Sequence, residues 1–174
     1  TGPAKGMGRA ITLALAAEGA NLVLAGRDLA PIETVADEAR ACGVDALVVR
    51  CDVTQPDDVT AAVAAGTQAF GGIDILVNVA GGTGPLGKSG IQTTPEEFEQ
   101  IIDLNVKGCF LTMRAVLPGM IERGGGKIVN VGGTFGMRGR AGRLSYSTSK
   151  WGLRGLTKSF ALEVGPHNIN VNYV

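Results

Sequence analysis

Five short apolar runs, rich in β-branched residues, punctuate the chain: Asn21 to Ala25, Ala46 to Arg50, Ile73 to Asn78, Lys127 to Val131, and Ile169 to Val174. Most are continuous rather than alternating, the pattern of strands buried on both faces. Between them lie stretches with apolar positions three and four apart, which predict helices over Gly8 to Glu18, Leu29 to Cys42, Pro56 to Phe70, Pro95 to Glu122, and Tyr146 to Val164. Thr94-Pro95-Glu96-Glu97 is a strong helix start, with a capping threonine, proline in the first turn and glutamate three residues on. Pro118 is expected to end or bend the helix that follows. Strand–helix alternation predicts an α/β fold, a doubly wound parallel sheet with helices on both faces.

Composition narrows the class. At 174 residues the chain is expected to form one domain, and 45% hydrophobic content is enough for a core. Sixteen basic and sixteen acidic residues cancel, so no global field favours nucleic acid or an anionic membrane. Cys42, Cys51 and Cys109 lack metal-site spacing and read as reduced, small core residues. No run of 18 apolar residues occurs, and the first residues lack a basic-then-apolar signal layout, so a cytoplasmic location is expected. Both ends are abrupt. A loop leads into the first helix with no strand before it, and the last strand runs into the C-terminus, so residues 1–174 read as an incomplete domain cut from a longer chain.

Three places carry candidate chemistry. Glycines at 2, 6 and 8 permit a tight loop ahead of a helix whose free N–H groups and positive end suit a phosphate. Gly26-Arg27-Asp28 follows the next strand; an arginine there can hold a ribose 2′-phosphate, and Asp28 can cap the next helix. Tyr146 and Lys150, four apart on a helix, share a face, and an ammonium near a phenol favours the phenolate. His167 follows Gly165-Pro166 and reads as a surface turn, while Trp151 and Phe160 read as packing residues.

Thr1-Gly2-x-x-x-Gly6-x-Gly8, Cys51-Asp52-Val53, Asp74 to Gly81, Asn105-Val106-x-Gly108 and Tyr146-x-x-x-Lys150 occur in the order and spacing of the classical short-chain dehydrogenase/reductase family, which the whole chain resembles. The resemblance implies a Rossmann-type sheet truncated at both ends. A central strand would lie outside this chain, between its first and third strands, with a C-terminal substrate-covering segment also outside. It implies hydride transfer between a nicotinamide cofactor and a ketone or secondary alcohol. Gly2, Gly6, Met7 and Gly8 would shape the pyrophosphate loop. Asp52 and Val53 would flank the adenine, and Asn78, Ala80 and Gly81 would close the cleft and steady the sheet. Tyr146 would be the general acid or base, and Lys150 would bind the nicotinamide ribose and favour the tyrosine's phenolate. Asn105 would hold a water linking Lys150 to solvent. Lys5 and Arg27 resemble the basic positions of NADP-preferring members. The long patterns at Pro95 to Glu122 and Tyr146 to Val164 resemble the helices that build homotetramers or homodimers.

One position departs from the family. A serine is usual thirteen residues ahead of the tyrosine, and here that position is Gly133. Three readings stay open: Thr134 turns its hydroxyl into the site, another group or the substrate supplies the hydrogen bond, or the protein binds cofactor and catalyses poorly as a sensor or scaffold. Arg138, Arg140 and Arg143 crowd the loop before Tyr146 and suit either an anionic substrate or a solvated, subunit-contacting surface.

Overall fold

The computed structural model describes residues 1–174. Along the chain run α1 (Gly6–Ala17), β1 (Leu22–Gly26), α2 (Leu29–Arg40), β2 (Ala46–Arg50), α3 (Pro56–Phe70), β3 (Ile75–Asn78), α4 (Pro95–Ile102), α5 (Gly108–Glu122), β4 (Gly126–Asn130), α6 (Leu144–Val164) and β5 (Ile169–Tyr173). The apolar runs became strands and the periodic stretches became helices because each buries what its spacing presents. The strands pair in parallel as two sheets: β1 with β2, Leu22 opposite Ala46, and β3–β4–β5 in that order.

The unpaired edges of β1 and β3 face each other across a cleft of about 330 Å³, lined in part by Leu22, Leu24, Phe70, Ile73 and Val77. The first two residues tie the two sheets together. The Thr1 main-chain nitrogen donates to the Val77 carbonyl at 2.8 Å, and the Gly2 N–H donates to the Ala25 carbonyl at 3.1 Å.

Each sheet carries its own core. Met113, Met120, Ile128, Leu153 and Ile169 interlock β3–β5 with α5 and α6, each nearly inaccessible to water. Side chains so fully buried stabilise by about 1.5–3 kcal/mol apiece. Leu22, Leu24, Ile32, Ala36 and Ala39 do the same for β1–β2 with α1 and α2. Cys51, Val53, Val59, Ala62 and Leu111 join α3 to α5.

The helix expected over Pro95 to Glu122 holds two surprises. It begins as anticipated, with Thr94 Oγ1 accepting from Glu97 N–H at 3.3 Å while the Glu97 carboxylate accepts from Thr94 N–H at 2.9 Å. Pro118 does not end it. The proline sits inside α5, which continues to Glu122, its flanks held by buried Leu117 and Met120. The interruption comes earlier, where Asp103–Lys107 form a π-helical turn between α4 and α5. Such a turn fits one extra residue into the helix and swings side chains out of their ordinary register, often at functional sites.

Three smaller expectations need correction. Cys42 is exposed, because α2 ends at Arg40 and the thiol lies on the turn beyond it. Asp28 occupies the N-cap position of α2, but its side chain makes no capping bond. Trp151 faces solvent, with the Arg154 guanidinium over its ring at 5.8 Å, whereas Phe160 does pack on the core.

Candidate active site

The bonds from Thr1 and Gly2 bring the carboxyl ends of β1 and β3 to the loop before α1. Parallel α/β sheets bind ligands at this end. Gly2 has φ +66°, and a Cβ on it would lie 2.8 Å from Ala80 N, so only glycine admits this approach. A Cβ on Gly8 would collide with the Gly2 carbonyl oxygen. The loop is therefore bare backbone. Lys5, the N-cap of α1, makes no capping bond, and the first turn holds no acidic residue. Free N–H groups and the positive helix end thus face outward. Lys5 and Arg27 are exposed and stand in no ion pair, and Met7 is also exposed. Bare amides, a positive helix end and two unpaired cations fit the pyrophosphate and a ribose phosphate of a dinucleotide.

Beside β2, the Asp52 carboxylate accepts from Thr54 N–H at 3.0 Å and from Thr54 Oγ1 at 2.8 Å. The backbone bond from Thr54, with help from the Thr54 hydroxyl and the nearby Arg27 and Arg50, holds its pKa below the usual carboxylate value. The Val53 side chain is buried against Gly108 and contributes to the core. Asn78 is buried and fully engaged: it donates to Asn130 Oδ1 and accepts from Thr112 Oγ1, both at 2.9 Å. Asn130 in turn donates to Thr157 Oγ1 at 3.0 Å. This polar thread crosses β3, β4, α5 and α6 just below the site, with Asn78 and Asn130 in register. Ala80 N–H donates to Thr1 Oγ1 at 3.3 Å, and Gly81 comes so near Asn105 that a Cβ would lie 3.0 Å from its Oδ1.

Tyr146 and Lys150 sit in the first half of α6. Lys150 is only 7% exposed, and its Nζ donates to the Val131 carbonyl at 2.9 Å, beyond the end of β4. The same Nζ lies 5.6 Å from the centre of the Tyr146 ring. Burial pushes the lysine's pKa below its ordinary value. Phe135 meets the tyrosine edge-on, ring centres 5.6 Å apart, and the Arg143 guanidinium lies 5.7 Å from the Tyr146 ring centre.

Asn105 points inward from the π-helical turn and is 1% exposed. Its Oδ1 accepts from Gly82 N–H at 2.8 Å, and its Nδ2 donates to Gly82 O and to Ser149 Oγ, both at 2.9 Å. The side-chain amide is thereby used up as a clamp between the loop after β3 and α6. Thr134 stands on the segment between β4 and α6. It is exposed, starts a 3₁₀ turn (Thr134–Gly136), and borders a cavity of about 560 Å³ with Arg154, Thr157 and Tyr173, which neither Tyr146 nor Lys150 lines. Gly133 before it has φ +111°, with open space where a Cβ would stand.

The geometry sets Lys150 against the Tyr146 ring and ties Asn105 to the same helix through Ser149, while Thr134 borders the cavity beside Arg154 and Tyr173. Sequence reasoning missed Ser149, Asn130, Thr112 and Phe135. Asn130 had a signal, since Asn78 and Asn130 close two apolar strands in the same way, and a buried amide there demands partners.

A family model described as short chain dehydrogenase matches residues 1–174. The chain belongs to the short-chain dehydrogenase family. Trans-4-hydroxycyclohexanecarboxylate dehydrogenase of Sinomonas cyclohexanicum is 39% identical over 182 residues, covering 100% of this chain and 68% of that protein. The chain spans about two thirds of the length of the curated relatives it matches. Among solved structures, a metagenomic short-chain oxidoreductase in complex with NADP is 35% identical, with a TM-score of 0.94 over 99% of this chain and 77% of the other. NAD⁺-bound xylitol dehydrogenase is 34% identical, also with a TM-score of 0.94, over 99% of this chain and 66% of that structure. Both confirm a Rossmann-type α/β fold for this short-chain dehydrogenase.

Proposed function

We propose that this protein transfers hydride between NADP(H) and a ketone or secondary alcohol. One observation carries the reading: a buried ammonium, Lys150, anchored on the Val131 carbonyl and 5.6 Å from the Tyr146 ring, in a fold whose first helix opens with a bare N-terminus. The nicotinamide cofactor supplies the hydride. In the reductive direction the Tyr146 hydroxyl gives its proton to the substrate oxygen as negative charge develops there. Lys150 spends one N–H on Val131, leaving two for the ribose hydroxyls, and its charge favours the phenolate left behind. Asn105 keeps the loop after β3 and the start of α6 in fixed relation, and its main chain is what remains to hold a water for proton relay. Gly2, Gly6 and Gly8 let the pyrophosphate reach the α1 amides. Asp52 and Val53 flank the adenine, and Asn78, Ala80 and Gly81 form the cleft wall.

Lys5 and Arg27 favour NADP(H) over NAD(H), since an arginine fork can grip a 2′-phosphate. Similar solved structures bind either cofactor, so these two residues carry the choice. Exposed Phe110, Trp151 and Leu162 on α5 and α6 suit assembly into a homotetramer or homodimer. No helix is long and apolar enough to cross a membrane, and we place the protein in the cytoplasm. Consumption of NADPH across a panel of ketones tests the activity. Tyr146→Phe should abolish turnover while leaving NADPH binding intact, and full turnover in that variant would refute the mechanism.

Gly133 supports a second reading, a cofactor-binding sensor or scaffold with impaired catalysis. Losing one polarising donor typically costs about 10²–10³ in rate. Saturable NADPH binding with no oxidation by any ketone would favour it.

A further inference from the structure

Of the three arginines between Thr134 and Tyr146, only Arg143 is drawn into the protein; Arg138 and Arg140 are exposed. Its guanidinium lies 5.9 Å from the Phe135 ring centre and 5.7 Å from that of Tyr146. Its Nη1 is shut off from solvent and has no hydrogen-bond partner. No carboxylate of the protein reaches it: Glu97 on neighbouring α4 is taken by Lys88 at 2.7 Å, and Arg143 forms no ion pair. The loop leading to it is fixed, with Gly142 at φ +69° packed on Gly87 and its carbonyl accepting from Gly87 N–H at 3.3 Å. Arg143 as a whole is half-buried, and a desolvated N–H of its charged fork without a partner is costly unless something else pairs with it.

We propose that Arg143 is a specificity-determining residue that receives a carboxylate on the substrate, so that the preferred substrates are short hydroxy- or oxo-carboxylates. The inference rests on Tyr146 being the proton-transfer residue, because the guanidinium stacks on that ring and an anion bound to it lies close to the reacting carbon. A carboxylate matches one planar guanidinium fork. A phosphate dianion would call for more cations, and Arg138 and Arg140 are turned to water. Lys150, the other cation on the Tyr146 ring, is already committed to Val131.

The test compares a γ-oxo-carboxylate with its methyl ester, using the NADPH-loaded protein. Arg143→Gln should lower the ratio of kcat/KM for acid over ester by about 30-fold or more, as when one partner of a desolvated charge pair is lost. Arg143→Lys should restore part of it, and the Arg138→Gln/Arg140→Gln double variant should leave the ratio alone. An unchanged ratio in Arg143→Gln, or a fall of the same size in the double variant, overturns the proposal. Failure of the activity itself is told apart by calorimetry with butyrate as a dead-end ligand. Binding by the wild type that Arg143→Gln loses upholds the arginine's role even without turnover, and equal or absent binding in both rejects it.

Discussion

The Asn105 side chain donates to Ser149 Oγ at 2.9 Å, and that hydroxyl donates to the main-chain carbonyl of Tyr146 at 2.8 Å. The π-helical turn is thereby connected to α6 through a single fully buried serine, one residue before Lys150. Ser149→Ala leaves an amide N–H without its acceptor, which should cost about 1–3 kcal/mol of stability. If the proposed role of Tyr146 holds, losing the Ser149 bond to its carbonyl should lower kcat about tenfold through a small misplacement. The pH profile of kcat should also shift, which lost stability alone would not cause. A variant with lower melting temperature but an unaltered profile would reduce Ser149 to a packing role.

Arg27 stands exposed and unpaired beyond β1, close enough to Asp52 to help hold its carboxylate ionised. Arg27→Asp should cut the kcat/KM preference for NADPH over NADH by about 100-fold, the scale of a charge-assisted pair replaced by repulsion. Steady-state kinetics with both cofactors decides the matter. A wild type that already prefers NADH would sink the NADP(H) assignment.

Thr134 and Gly133 offer opposite experiments on the missing hydroxyl. If Thr134 swings in to polarise the carbonyl, Thr134→Val should lower kcat by about 10²-fold; unchanged turnover removes it from the mechanism. Gly133→Ser has open space for its Cβ but a φ of +111° that suits glycine. It should raise kcat at least tenfold while costing on the order of 1–2 kcal/mol of stability. A serine variant no faster than wild type would show that another group already supplies the bond.

Cys109 lies buried near Lys150, and burial pushes its thiol pKa up to about 11 against an ordinary value of 9.0. Between these values the unfolded chain has lost a proton that the folded chain keeps. The thiol's contribution to stability is therefore whole below pH 9 and fades as pH rises toward 11, by up to about 3 kcal/mol. Lys150, whose pKa burial lowers, works in the opposite sense over its own alkaline window. Urea unfolding of wild type and Cys109→Ala isolates the thiol: the stability gap between them should narrow at alkaline pH. A gap constant across that range would contradict the shift. Cys42, being exposed, should react with iodoacetamide first.

The strands and helices were legible because burial on both faces and on one stripe leaves different periods in the sequence. β2 and α3 have the bounds the pattern gave them. Tyr146 and Lys150 were legible as a pair because four residues make roughly one helical turn. The π-helical turn was not, since Asp103–Lys107 continues the same apolar period and only backbone pairing distinguishes it. Nor was the placing of Thr134. Whether a hydroxyl one residue from Gly133 faces the tyrosine depends on a backbone rotation that residue types do not encode. Ser149 escaped notice for a related reason, as a serine in a helix is ordinary until its burial and partners are known.

The Tyr173 ring lies where side chains on Gly132 and Gly136 would stand, and its hydroxyl donates to the Gly133 carbonyl at 3.1 Å. These positions are not free to vary one at a time. A mutation that placed a methyl group on either glycine would displace the aromatic ring and with it the Gly133 carbonyl. In the course of descent, a lineage that acquired a bulkier residue at 132 or 136 should first, or simultaneously, have exchanged Tyr173 for something small. Gly133 itself has open space where a Cβ would stand, so the ring constrains Gly132 and Gly136 while leaving the position of the customary serine sterically free.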